Sequence, residues 1–156
     1  MHERDASIAH CPTSNLFLGS GLFRLRVAKD KKRPIHVGLG TDIGAGTSFS
    51  VLRTINEAYK IAALNASPIS AFEAFYLATL GGARSLGLED RIGSLEAGRE
   101  ADIVVLEPKA TPLLAFRENR SRSAGRDLVR ADDPWRRPRR ARHLCGRGAC
   151  PCARPG

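Results

Sequence analysis

A chain of 156 residues with 25 Lys and Arg against 16 Asp and Glu carries a formal charge of +9 and is long enough for one ordinary domain. The excess is not spread evenly: residues 1–116 hold thirteen basic and twelve acidic side chains, whereas residues 117–156 hold twelve arginines, no lysine and four acids. A near-neutral body argues against nucleic-acid binding by its fold, and no apolar run approaches the ~20 residues of a membrane span.

The N-terminus, Met-His-Glu-Arg-Asp, lacks the basic-then-apolar pattern of a secretory leader, so a cytoplasmic location is expected. Residues 1–10 read as the end of a helix followed by a short strand, Ala6 to His10. Cys11-Pro12-Thr13-Ser14-Asn15 is predicted to leave that strand as a loop, because proline restricts the residue before it to extended geometry. Within it, the Asn15 side chain is expected to bond to nearby backbone, and Cys11 to be a buried small residue rather than a nucleophile. Leu22 to Ala28 reads as a short helix.

The central stretch is Pro34-Ile35-His36-Val37-Gly38-Leu39-Gly40-Thr41-Asp42-Ile43-Gly44-Ala45-Gly46-Thr47. A short apolar run bounded by turn signals predicts a buried parallel strand over about 35–41. The strand empties into a Gly-rich loop at Asp42. In α/β folds active sites are built at that end, yet an aspartate there also serves as a helix cap; spacing alone leaves both readings open. The glycines do not form a phosphate loop, having neither a Gly-Lys-Ser/Thr ending nor a G-x-G-x-x-G frame.

Thr47 or Ser48 is predicted to cap the next helix, whose apolar face runs Val51, Leu52, Ile55, Ala58, Tyr59, Ala62. Ser70-Ala71-Phe72-Glu73 opens a second helix with a capping-box pattern. A third is expected over Ala83–Leu86, ending at Gly87. Ile92–Leu95 and Asp102–Leu106 read as strands. The order of strand, helix, strand, helix, helix, then β fits the last two units of a (β/α)₈ barrel.

From Arg117 onward Arg, Pro, Gly and Ala dominate and apolar periodicity is lost. Such composition predicts disorder. It is also what a GC-rich gene yields out of frame, and a frameshift near residue 117 is expected. Cys145, Cys150 and Cys152 match no usual zinc spacing. Of the histidines, His36 lies six residues before Asp42 and is expected to be structural, His10 lies nearer the active end, and His2 and His143 are peripheral.

Four stretches carry a resemblance: Gly38-Leu-Gly-Thr-Asp42-Ile-Gly-Ala-Gly-Thr-Ser-Phe-Ser50, His10-Cys-Pro-Thr-Ser-Asn15-Leu-Phe-Leu-Gly-Ser-Gly21, Ala78-Thr-Leu-Gly-Gly-Ala83, and Gly93-Ser-Leu-Glu-Ala-Gly-Arg-Glu-Ala-Asp-Ile103. Together they resemble the guanine deaminase branch of the amidohydrolase superfamily over roughly residues 3–115. The resemblance implies an α/β fold: residues 1–90 as the last two βα units of a metal-dependent hydrolase TIM barrel, and residues 91–116 as strands of an accessory β-sandwich. Residues 117–156 remain as the basic tail.

It also implies zinc-dependent hydrolysis of guanine to xanthine and ammonia, with Asp42 as metal ligand and as the base that orients and deprotonates water. The family's His-x-His pair, two later histidines and proton-shuttling glutamate have no counterpart here. The chain alone is therefore expected to be an inactive fragment, with guanine as substrate and a homodimer belonging to the intact enzyme. The alternatives are a deaminase acting on a related ring, a degraded coding sequence without activity, and a nonspecific nucleic-acid binder acting through the arginine tail. Thr47-Ser48-Phe49-Ser50 favours guanine among the deaminases.

Overall fold

The computed structural model describes residues 6–32, 34–107, 109, 111–118 and 142–144. Strand β1 (Ile8–His10) pairs in parallel with β2 (Val37–Leu39), Ile8 opposite Val37 and His10 opposite Leu39. The ladder runs one step past each end, since Ile8 N–H donates to the His36 carbonyl and Gly40 N–H to that of His10. Parallel strands need a long crossover. Here it contains two short helices, α1 (Pro12–Phe17) and α2 (Leu25–Ala28).

After β2 come α3 (Val51–Leu64), α4 (Ala71–Ala78) and α5 (Leu80–Ser85). The apolar face of α3 is buried through Ile55, Ala58, Ile61 and Ala62, as its periodicity predicts. Leu25, Val37, Ile55, Ala74 and Leu77 share one cluster with Ile8 and Leu39 packed on it. One face of the strand pair therefore points into the helical core. On the other face Gly38 meets α5, where an added Cβ would lie 2.8 Å from Gly82 Cα.

Serine caps set the helix starts. Ser50 Oγ accepts from Arg53 N–H at 3.4 Å, so α3 begins after Ser50 rather than at Thr47 or Ser48. Ser70 Oγ accepts from Glu73 N–H at 3.1 Å. The Glu73 carboxylate does not complete the capping box; it turns to α2 and takes both Arg26 guanidinium nitrogens, at 2.7 and 3.0 Å. Both partners are partly exposed, so this bidentate pair ties α2 to α4 but contributes little to stability.

Three further expectations are corrected. The Cys-Pro-Thr-Ser-Asn stretch is helix α1, not loop: Cys11 is its non-helical N-cap (φ −113°) and Pro12 opens it, a position where proline's missing N–H costs nothing. Helix α5 starts at Leu80 instead of Ala83, because Gly81 and Gly82, poor helix formers, are held close to α4 and β2. Ile92–Leu95 is a turn rather than a strand. Gly93 sits at φ +92°, and a Cβ there would strike Ala83 and Leu80, so the chain folds back on α5. Strand β3 (Ile103–Val105) lies where a strand is expected and pairs antiparallel with β4 (Arg142–Leu144), Val104 opposite His143.

A further helix, α6 (Pro112–Glu118), opens where Thr111 Oγ1 accepts from Leu114 N–H at 3.2 Å. The expected helix end at residues 1–5, and the expected disorder over 119–141 and 145–156, fall outside the described residues. Among the described residues no helix is long and apolar enough to cross a membrane.

Candidate active site

Asp42 stands three residues beyond the end of β2, in a tight turn that Gly46 closes by donating its N–H to the Asp42 carbonyl at 2.6 Å. A Cβ at Gly46 would collide with the Thr41 carbonyl oxygen, which is why the turn needs glycine there. Asp42 itself has φ +47°, a left-handed conformation that Asp and Asn adopt far more readily than most side chains. It does not cap α3, since Ser50 does. The helix-cap reading is thereby removed.

The Asp42 side chain is exposed, and one of its oxygens is held. Ser14 Oγ donates to Asp42 Oδ2 at 2.6 Å, the short distance expected of a hydroxyl on an ionised carboxylate. Ser14 lies in α1 and is 2% exposed. No local signal in the sequence marks Ser14 as a partner of Asp42. The pair is 28 residues apart in the chain, and only recognition of Pro12 as a helix start could have turned Ser14 toward the loop.

Cys11 lies beside this pair, its Sγ 3.0 Å from where a Gly40 Cβ would stand. Burial, and then the Asp42 charge, push its thiol pKa upward. A raised thiol is a poor nucleophile at neutral pH. Asn15 contributes to the following turn through its main chain rather than the expected side-chain bond, its carbonyl accepting from Ser20 N–H at 2.9 Å.

His10 is not directed at this loop. It is 4% exposed, stacked on Phe23 with centroids 4.5 Å apart, and its Nδ1 lacks a partner. Burial lowers its pKa to about 4. His36 is exposed, and its carbonyl serves the strand ladder. His143 lies in β4. The structure therefore brings Ser14, Cys11 and Asp42 together and leaves His10 and His36 apart from them. A cavity of about 320 Å³ between α2 and the end of α3, lined by Phe23, Leu25 and Asn65, includes no residue of the Asp42 loop.

As a metal ligand Asp42 offers a fixed, exposed carboxylate of a kind that suits zinc. It is a single donor. Among the described residues no three His, Cys, Asp or Glu side chains gather to hold a metal ion, and a zinc site takes three or four protein ligands.

Guanine deaminase of Escherichia coli K12 is 60% identical over 121 residues, which are 78% of this chain and 27% of that protein. The solved E. coli guanine deaminase superposes with a TM-score of 0.78 at 57% identity, over 84% of this chain and 30% of that one. An adenosine deaminase from Xanthomonas campestris, solved with bound zinc, superposes at 0.68 and 30% identity over 83% of this chain and 30% of its own. The chain thus spans between a quarter and a third of the length of these relatives. The amidohydrolase family model matches residues 1–125, carrying the likeness past residue 117. On this match the chain belongs to the amidohydrolase family.

Proposed function

We propose that these residues form the Asp42-bearing part of a guanine deaminase, which converts guanine and water to xanthine and ammonia. In this reading residues 1–90 supply the last two βα units of a TIM barrel and β3 contributes to an accessory β-sandwich. The single observation that carries it is a fixed carboxylate at the mouth of a parallel strand, in a chain 60% identical to the E. coli enzyme.

Zinc, when bound, lowers the pKa of a water so that it can attack at neutral pH. Asp42 would give the metal one oxygen, and the remaining donors lie outside the described residues. The same carboxylate takes up the proton of the attacking water as general base. Protonation of the departing amino group falls to an acid that is likewise outside them. Other purine-like rings are the second reading, and Thr47-Ser48-Phe49-Ser50 favours guanine over them.

The test is a graft. Residues 6–118 replace the matching segment of the E. coli enzyme, and guanine loss, ammonia release and metal content are measured. A folded graft should turn over guanine. Asp42→Asn in that graft should lower turnover by at least ~10³-fold, the scale on which lost acid–base and metal contributions act, and should lower metal content. A folded graft without guanine turnover, or one indifferent to the Asn change, would overturn the reading.

A further inference from the structure

We propose that Ser14 is the positioning residue of Asp42, its hydroxyl holding Oδ2 so that the other carboxylate oxygen is presented outward in one orientation. A serine inside a helix ordinarily turns its hydroxyl back to the carbonyl four residues earlier. Here that carbonyl belongs to His10, which takes Gly40 N–H at 3.0 Å and no bond from Ser14. The Ser14 hydroxyl instead reaches across 28 residues to Asp42 Oδ2. Among the described residues no other group donates to this carboxylate.

The asymmetry of the pair makes this a positioning device. Asp42 is exposed, so its carboxylate has water as an alternative partner. Ser14 is 2% exposed and has none. Turning Asp42 away would strand a buried hydroxyl, and buried polar groups without partners are disfavoured. Rotation of the exposed acid is thus penalised at its buried neighbour. The backbone is pinned as well, through the left-handed φ of Asp42 and the Gly46 N–H on its carbonyl. Main chain and side chain are fixed by separate contacts, and Ser14 supplies the one that acts on the carboxylate.

The catalytic meaning of this role rests on the reading of Asp42 as the reacting acid; its test does not. In the 156-residue chain, three-bond couplings from backbone nitrogen and carbonyl carbon to Asp42 Cγ report the Asp42 rotamer without metal or substrate. The native sequence should give the values of one staggered rotamer. Ser14→Ala should collapse them to a rotational average while the amide shifts of α3 and α4 stay in place, and Ser14→Thr, which keeps the hydroxyl, should restore them. Native-like couplings in Ser14→Ala, or averaged couplings already in the native chain, would overturn the proposal. A Ser14 that only stabilised α1 would lower the melting temperature and leave the Asp42 couplings alone. Loss of guanine turnover in the graft bears on the functional reading alone, so the two failures are distinguishable.

Discussion

Side chains of similar chemistry meet opposite fates in the two halves of this molecule. In the helical layer Leu77 is fully buried and Ile61 nearly so. In the segments that follow β1 and β2, Phe17, Leu18 and Phe49 stand in the open, Phe49 at 82% exposure. The first group lies where α3, α4 and α5 close over the strands; the second flanks the loops that carry Ser14 and Asp42. Burial, rather than residue type, decides which of them stabilises the fold. The candidate site thus lies among exposed apolar side chains and apart from the Leu77 core, although Pro12 and Ser14 beside it are themselves fully buried.

The sharpest way to break this comparison is Leu77→Ala. Removing a fully buried leucine should cost about 2–5 kcal/mol, read as a fall in the urea midpoint at constant slope. A smaller effect than that of an exposed residue would mean the core is elsewhere. Next comes acid. The His10 pKa is about 4 in the folded chain against 6.5 for the free side chain, so below pH 6.5 the unfolded chain gains a proton that the folded chain refuses. The stability His10 permits is complete above pH 6.5 and falls as pH drops toward 4, by about 3 kcal/mol at pH 4. His10→Phe should flatten that window; unchanged acid sensitivity in the variant would count against the assignment. The smallest effect belongs to Phe49→Ser, expected to change stability by less than about 0.5 kcal/mol in the same urea titration.

What the sequence disclosed follows from how local each signal is. The apolar repeat from Val51 to Ala62 and the Ser70–Glu73 start are written within single turns, and α3 and α4 appear where those signals place them. Asp42 was legible as a carboxylate at a strand end. Helix α1 was not, because the extended geometry Pro12 imposes on Cys11 suits a loop and a helix N-cap alike. Pro112 repeats the lesson at α6. The early start of α5 was hidden for a different reason: two glycines oppose a helix locally, and only packing against β2 and α4 overrides that preference. The Ser14–Asp42 bond was the least legible of all, since neither residue signals the other until the parallel pairing of β1 and β2 brings their following segments side by side.

The left-handed backbone at Asp42 restricts the alphabet of that position before any chemistry is asked of it. Glycine, asparagine and aspartate are the residues at ease there, and of the three only aspartate can carry a charge. Exchanging it for asparagine keeps the bend, the size and a side-chain oxygen for Ser14, and removes the negative charge on which both proposed roles of the carboxylate depend.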